Sequence, residues 1–182
     1  MKLIDGKKIS EKVLDEIKLS VQNRVKNNLK IPHLAAILVG DDSASATYVA
    51  MKERACHSLG IETEVKRLTK DTSTTELQQI IRDLNDDQTV DGILLQHPVP
   101  KQIDEIKCFN TICIEKDVDG VTTEGFGNMA MGLNAFGSCT PLGIMRILDH
   151  YKINLEGMNA LVIGRSQILG KPMAAMLLNA NA

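Results

Sequence analysis

Two side chains suited to a binding or catalytic site lie four residues apart in a segment predicted to be helical. Tyr48 and Lys52 follow Gly40, and the residue pattern predicts a helix over residues 45–59. At this spacing both side chains project from one face of the helix. A phenol beside an ammonium group suits an aromatic ligand, and a lysine next to apolar surface can transfer protons. An ordinary exposed pair of side chains is the alternative interpretation.

A second group of polar residues comes directly after a predicted buried strand. The strand is predicted over residues 90–95, and it continues into Gln96-His97-Pro98-Val99-Pro100. In open α/β sheets, ligands bind at the carboxyl ends of the strands. We therefore expect this loop to meet the loop after a second predicted strand, residues 34–39, and the segment 117–120. A simple tight turn is the alternative.

Two carboxylates, Asp117 and Asp119, lie between Lys116 and Gly120. A carboxylate at this place can accept paired hydrogen bonds from the edge of a heterocycle. A cation site requires more oxygen ligands than two acids supply. The remaining interpretation is a solvated Asp-Gly turn.

A third candidate group follows a predicted short buried strand at residues 160–163. Gly164, Arg165 and Ser166 come next, and a further helix is predicted after them. The order strand, glycine, helix is that of the first unit of a dinucleotide-binding fold. Arg165 and Ser166 are good phosphate ligands, and an arginine here favours NADP over NAD. The alternative is a turn that only connects a strand to a helix.

The alternation of helix and strand signals favours an α/β fold with a mainly parallel sheet. Ser10 is predicted to cap the first helix, residues 61–65 alternate as in an edge strand, and a helix opens at Thr74 or Thr75. Residues 121–137 are predicted to form a long loop or an irregular crossing. Thr140 is predicted to cap a later helix that has a proline in its first turn.

Composition excludes several classes of protein. The 182 residues are 43% hydrophobic and 24% charged, with a net charge of -2, so no basic field exists for a nucleic acid, and 3% aromatic residues offer few stacking platforms. The apolar runs are far shorter than the ~20 residues that span a bilayer, and the N-terminus lacks the pattern of a signal peptide. We expect a cytosolic protein. The four cysteines match no zinc spacing, so we expect reduced thiols and no metal site.

Five motifs in order resemble one family, bifunctional methylenetetrahydrofolate dehydrogenase/methenyltetrahydrofolate cyclohydrolase, a bacterial enzyme of folate one-carbon metabolism. The motifs are residues 39–52 (VGDDSASATYVAMK), 92–100 (GILLQHPVP), 116–120 (KDVDG), 139–143 (CTPLG) and 162–172 (VIGRSQILGKP). The resemblance runs from Leu3 to the end of the chain. It implies oxidation of 5,10-methylenetetrahydrofolate with NADP, followed by hydrolysis of the methenyl product to 10-formyltetrahydrofolate in the same site.

The resemblance also implies a role for each candidate residue. Lys52 is expected to be the catalytic lysine, with Gln96 hydrogen-bonded near it, and Asp119 is expected to hold the pterin as the third catalytic residue. Tyr48 is expected to stack on the aminobenzoyl ring of the folate. The other expected pocket residues are Leu95, His97 and Pro98, and the expected NADP contacts are Gly164, Arg165 and Ser166.

The expected domains are a three-layer, folate-binding catalytic domain at residues 1–138 and the beginning of a Rossmann-type NADP domain at 139–182. The second consists of a linker helix and the first strand–helix unit, so we expect a truncated chain whose full-length form is a homodimer. A folate-binding or partner-binding fragment without turnover is the alternative function. His97 stands where the family often has leucine, and we expect it to replace an apolar wall residue rather than to tune Lys52.

Overall fold

The computed structural model describes residues 3–182; Met1 and Lys2, part of the N-terminal segment that lacks a signal-peptide pattern, lie outside this range. Helices and strands alternate through the first half of the chain, and helices alone follow. The elements are α1 (Gly6–Lys26), β1 (His33–Val39), α2 (Ser43–Leu59), β2 (Glu62–Leu68), α3 (Thr74–Asp86), β3 (Gly92–Leu95), α4 (Glu105–Phe109), a 3-10 turn (Ile114–Lys116), α5 (Thr123–Ala130), α6 (Cys139–His150) and α7 (Gly170–Asn179).

The chain divides into two compact units. The first, here called the sheet unit, is Leu14–Val118, and the second, the helical unit, is Asp119–Ala182 with the beginning of the chain up to Val13. Within residues 3–182, no helix is both long enough and apolar enough to cross a lipid bilayer.

The sheet unit is built on three parallel strands in the order β2-β1-β3. Ala36 in the centre of β1 pairs with Val65 on one side and with Leu94 on the other. Because all three strands run in the same direction, their carboxyl ends meet at one edge of the sheet. The α/β class and the parallel sheet predicted from the sequence are confirmed, and β2 is an edge strand as predicted.

Both faces of the central strand are covered, as the predicted three layers require. On one face, Ala36, Leu38 and Leu94 pack with Val49 of α2 in a buried cluster. On the opposite face, Ala35, Ile37 and Val39 of β1 are also buried. Strands that are buried on both faces read as continuous apolar runs, which explains the composition of β1 and β3.

Side-chain caps explain where the first three helices begin. The Asp42 carboxylate accepts a hydrogen bond from Ser45 N at 2.7 Å and caps α2, while Gly60, at φ 79°, ends it. At α3, Ser73 and Glu76 form a reciprocal capping box. The predicted cap at Ser10 is wrong: α1 begins at Gly6, and Asp5 Oδ1 accepts from Lys8 N at 3.1 Å instead.

Two predictions for residues 121–150 are also wrong. The predicted loop 121–137 contains α5, because the Thr122 hydroxyl caps it by accepting from Gly125 N at 3.0 Å. The glycines of this segment have low helix propensity, so the sequence pattern favoured a loop despite the cap at Thr122. Helix α6 begins at Cys139 after an N-cap at Ser138, so Thr140 lies inside the first turn together with Pro141. Proline is tolerated in a first turn because its missing N–H has no intrahelical partner there.

The predicted buried strand at residues 160–163 is neither a strand nor buried. Leu161 is 85% exposed and Ile163 is 93% exposed. A strand is defined by its hydrogen-bonded neighbours, and the sheet of residues 3–182 consists of β1, β2 and β3 alone. The helix predicted after this segment is confirmed as α7.

Candidate functional site

The side chains of Lys52 and Gln96 meet in the sheet unit. Lys52 Nζ donates a hydrogen bond to Gln96 Oε1 at 3.2 Å, and both residues are half-buried. Lys52 belongs to α2, which packs on the sheet through Val49, and Gln96 is the first residue after β3. Gln96 N also donates to Ile37 O at 2.9 Å, so the strand ladder extends one residue and fixes the backbone from which the amide projects.

The Gln96 side chain is oriented by a second hydrogen bond. Its Nε2 donates to the carbonyl oxygen of His97 at 2.7 Å, which leaves Oε1 as the acceptor that faces Lys52. An ammonium group has three N–H donors, and Gln96 engages one of them. The arrangement therefore presents a positioned, half-buried proton donor at the edge where the strands end.

Tyr48 lies one helical turn before Lys52, on the same face of α2. Its side chain is 59% exposed, so the ring has a face available for an aromatic ligand. The Ser45 backbone N–H, bonded to the Asp42 carboxylate, holds the pKa of that carboxyl below its usual value, so the N-terminal cap of α2 stays charged at neutral pH. Helix α2 thus holds Tyr48 and Lys52 in a fixed relation to each other.

The predicted pocket residues at the end of β3 and in the loop after it differ in exposure. Leu95 is 2% exposed, so its side chain belongs to the sheet core and only its backbone borders the edge. His97 and Pro98 are exposed, and the peptide bond between them is cis. His97 Nδ1 lies 2.8 Å from Glu105 Oε1, a contact that sequence reasoning missed because no spacing rule connects these two residues.

The polar residues of the motif at residues 116–120 have different roles. Lys116 Nζ donates to three backbone oxygens at the end of α3, those of Leu84 at 2.9 Å, Asn85 at 2.7 Å and Asp87 at 2.8 Å. Lysine at this position satisfies carbonyls that a helix end leaves unpaired. Lys116 is therefore structural, and the sequence offered no signal for that use.

The two carboxylates of this motif differ in exposure. Asp117 is 1% exposed, whereas Asp119, the first residue of the helical unit, is half-buried. Gly120 has φ 64°, and a Cβ there would lie 2.5 Å from the backbone of Gly137, so only glycine fits. Asp119 remains the candidate ligand-binding acid of the motif, and its role stays a prediction. No group of three metal-ligating side chains was found among residues 3–182.

Residues 164–166 in the helical unit are exposed and without regular secondary structure, and a turn at residues 167–169 connects them to α7. Ser166 Oγ accepts from Leu169 N at 3.1 Å and from Gly170 N at 3.2 Å, which ties the turn to the start of the helix. Gly170 packs so closely that an added Cβ would lie 2.6 Å from Arg165 N. An exposed guanidinium and a hydroxyl at a helix N-terminus are groups that fit a phosphate.

Two of the four cysteines, Cys56 and Cys108, are poorly suited to act as nucleophiles. Cys56 follows Lys52 by one turn of α2, and burial raises the pKa of its thiol. Burial also raises the pKa of Cys108 to about 11. Because the thiolate is the reactive form, both residues are poor nucleophiles at neutral pH.

Two family descriptions match the chain. "Tetrahydrofolate dehydrogenase/cyclohydrolase, catalytic domain" matches residues 4–119, and "Tetrahydrofolate dehydrogenase/cyclohydrolase, NAD(P)-binding domain" matches residues 138–182. Among curated relatives, "Bifunctional protein FolD" of Leptospira interrogans is 52% identical over 180 residues, which are 99% of this chain and 63% of that protein. The protein of the same name from Acidobacterium capsulatum is 57% identical, over 99% of this chain and 64% of its own length.

Solved structures of proteins with the same name also superpose on this chain. The bifunctional enzyme FolD from Campylobacter jejuni superposes with a TM-score of 0.97 at 44% identity, over 100% of this chain and 64% of that one. FolD from Trypanosoma brucei, complexed with NADP cofactor and inhibitor, gives 0.92 at 26% identity, over 100% of this chain and 62% of that one. The chain thus spans less than two thirds of the length of these relatives.

Proposed function

Because this chain belongs to the tetrahydrofolate dehydrogenase/cyclohydrolase family, we propose that it acts on 5,10-methylenetetrahydrofolate. The proposed reaction is an NADP-dependent dehydrogenation followed by hydrolysis of the methenyl intermediate to 10-formyltetrahydrofolate in the same site. The observation that carries the proposal is the hydrogen bond between Lys52 and Gln96, which lies within the part of the chain that matches the catalytic domain.

The hydrolytic step needs a group that moves protons at the position of Lys52. Water adds to the carbon of the methenyl cation and loses a proton, and a ring nitrogen takes up a proton as its bond to that carbon breaks. The nitrogen of Lys52 can carry out this exchange, while Gln96 Oε1 holds it in place. Dehydrogenation depends mainly on the position of the substrate, so Lys52 contributes less to that step.

The remaining predicted residues provide binding. The exposed ring of Tyr48 is proposed to stack on the aminobenzoyl group, and the Asp119 carboxylate to accept hydrogen bonds from the pterin. His97 and Pro98 are proposed to form the wall of the pocket through their side chains. Leu95 has its side chain in the core, so its proposed contribution is through its backbone.

NADP is the proposed cofactor, and it would supply the acceptor for the hydride. Gly164, Arg165 and Ser166 would hold its phosphate groups, since the exposed turn offers backbone N–H groups, a guanidinium and a hydroxyl beside the start of α7. The positive charge of Arg165 suits the extra phosphate that distinguishes NADP from NAD.

The proposal extends to the organisation of the protein. Residues 1–138 are proposed to be the folate-binding catalytic domain, and residues 139–182 the linker helix and first unit of the NADP-binding domain. The matches at residues 4–119 and 138–182 support this division. We also propose a cytoplasmic location and a homodimer for a full-length protein of this family, both from the resemblance.

Two assays on the 182-residue protein test the proposed function. The first follows the near-UV absorbance of methenyltetrahydrofolate, and the second follows reduction of NADP in the presence of methylenetetrahydrofolate. We expect hydrolysis above the background rate, and loss of that activity in a Lys52→Met preparation with an unchanged circular dichroism spectrum. Hydrolysis without NADP reduction would leave the dehydrogenase half unsupported. Absence of both activities would contradict the proposal and favour a folate-binding or partner-binding fragment.

A further inference from the structure

Glu105 makes two hydrogen bonds with the loop that follows Gln96. One oxygen, Glu105 Oε1, lies 2.8 Å from His97 Nδ1 and accepts from Val99 N at 3.2 Å. The Glu105 side chain is only 25% exposed. A single side-chain oxygen at this distance therefore holds the two residues on either side of Pro98, His97 and Val99.

The same loop determines how the Gln96 amide is oriented. The carbonyl oxygen of His97 accepts from Gln96 Nε2 at 2.7 Å, and the opposite end of the amide, Oε1, receives the hydrogen bond of Lys52 at 3.2 Å. The two ends of an amide have nearly the same shape but opposite hydrogen-bonding character. A displaced His97 carbonyl would therefore remove the group that directs Oε1 toward Lys52.

Glu105 itself projects from an anchored turn. It is the first residue of α4, and the backbone N–H of the residue before it, Asp104, donates to Thr74 Oγ1 at 2.9 Å. Cys108, on the same short helix, is fully buried. The carboxylate is thus held from the start of α3 as well as by its own helix.

We propose that Glu105 is a positioning residue for the Lys52–Gln96 pair. It touches neither the reacting atoms nor Lys52, and it acts by fixing the backbone of His97 so that Gln96 presents an oxygen to the lysine. The expected effect of Glu105 on the rate of hydrolysis rests on the proposed function, whereas its expected effect on the reactivity of Lys52 does not.

Four variants of the 182-residue protein test the proposal. Glu105→Ala removes the acceptor, Glu105→Asp keeps the charge but is too short to reach the loop, and Glu105→Gln keeps an oxygen acceptor of the same length. Asp104→Ala is the matched control, since it removes the side-chain cap of α4 but keeps the backbone N–H that donates to Thr74 Oγ1 and both contacts of Glu105 with the loop. Because the aspartate variant keeps a charged residue at the helix start, it serves as the test if the alanine variant fails to fold.

For methenyltetrahydrofolate hydrolysis, we expect Glu105→Ala and Glu105→Asp to lower kcat about 10-fold or more, with KM changed less than about twofold. Glu105→Gln and Asp104→Ala should stay near the wild-type rate. In a Gln96→Ala background, Glu105→Ala should cause no further loss. An equal loss in Glu105→Ala and Asp104→Ala would show a general structural role and overturn the proposal.

The second measurement is the rate at which Lys52 is acylated by a small reagent, read by mass spectrometry of the digested protein. We expect Lys52 to react about fivefold faster in Glu105→Ala and in Gln96→Ala than in the wild type, and no change in Asp104→Ala. This pattern without any hydrolysis would support the positioning role and contradict the proposed function. Hydrolysis with Lys52 reactivity unchanged in Glu105→Ala would support the function and overturn the role of Glu105.

Discussion

Two apolar runs of similar composition, each followed directly by a glycine, differ completely in structure. Residues 35–39, Ala-Ala-Ile-Leu-Val, form most of β1, and none of them is more than 4% exposed. Residues 160–163, Ala-Leu-Val-Ile, form no strand, and two of their large side chains are 85% and 93% exposed. Composition therefore does not separate them.

The difference lies in the neighbours of each run. β1 has β2 on one side and β3 on the other, and α2 covers one of its faces. β-propensity describes how well a side chain suits a half-buried pleated surface, and it has no effect where no such surface exists. The consequence for function is that Gln96, after β3, is held by the ladder, whereas Arg165 follows a segment outside the sheet.

The largest effect that separates the two regions is expected in stability. Ile37→Ala removes a side chain with 0% exposure, so we expect the free energy of unfolding to fall by about 2–5 kcal/mol. Ile163→Ala, at 93% exposure, should change it by less than about 0.5 kcal/mol. Urea denaturation measures both. Equal losses would mean that residues 160–163 are as well packed in solution as β1, which would break the comparison.

The parts of the fold predicted from the sequence are those with a local signal. The apolar runs of β1 and β3 predicted strands, and the residue pattern of 45–59 predicted the helix that forms most of α2, because each pattern acts within its own segment. The start of α1 and the presence of α5 were predicted wrongly, since the caps at Asp5 and Thr122 are short polar signals among glycines and lysines.

The candidate site shows the same limit. Tyr48 and Lys52 share a helix face by spacing alone, and Gln96 is placed by the rule that parallel strands end at one edge. Lys116 and Glu105 escaped prediction because their contacts join distant segments with no periodic pattern. Lys116 reaches the end of α3, and Glu105 reaches back to Val99. Such contacts depend on the tertiary fold and leave no pattern in the local sequence.

The next largest effect concerns the chemistry of the sheet unit. Lys52→Met removes the proton-carrying nitrogen and keeps an unbranched side chain, so we expect methenyltetrahydrofolate hydrolysis to fall by at least ~100-fold. Dehydrogenation should fall less where it is measurable, because it depends mainly on substrate position. Both assays on one preparation test this, after circular dichroism confirms the fold. Hydrolysis near the wild-type rate would show that Lys52 has no part in the reaction and that its hydrogen bond to Gln96 is structural.

A smaller effect is expected from the ion pair beside β3. Lys30 Nζ donates to Asp91 Oδ1 at 2.6 Å, and His33 N donates to Asp91 Oδ2 at 2.9 Å. Burial raises the pKa of Asp91, but the hydrogen bonds from Lys30 and His33 outweigh this, so the pKa lies below its ordinary value of 3.8. The folded state therefore favours the ionised form of Asp91. This stability is present above the unfolded pKa and is lost as the pH falls through the folded one.

We expect the free energy of unfolding of the wild type to exceed that of Asp91→Asn by less than about 1 kcal/mol at neutral pH, since both side chains of the pair are more than 40% exposed. The excess should shrink as the pH is lowered from about 5 toward 2. Denaturation curves at several pH values provide the measurement, and added salt should reduce the excess. A pH-independent excess would assign the effect to packing.

The smallest effect is expected from NADP binding at residues 164–166. A ligand that binds only the folded protein stabilises it by RT ln(1 + [L]/Kd). Gly164–Ser166 follow a run that lies outside the sheet of the described residues 3–182, so the ordering of that segment reduces the free energy of binding. We expect about 100 µM NADP to raise the free energy of unfolding by less than about 0.4 kcal/mol, which corresponds to a Kd weaker than about 100 µM. Calorimetric titration provides an independent value, with Arg165→Ala as the matched control. Micromolar affinity that Arg165→Ala abolishes would show that this turn is as well formed as the edge that holds Gln96, and the contrast between the two regions would then be confined to the apolar run itself.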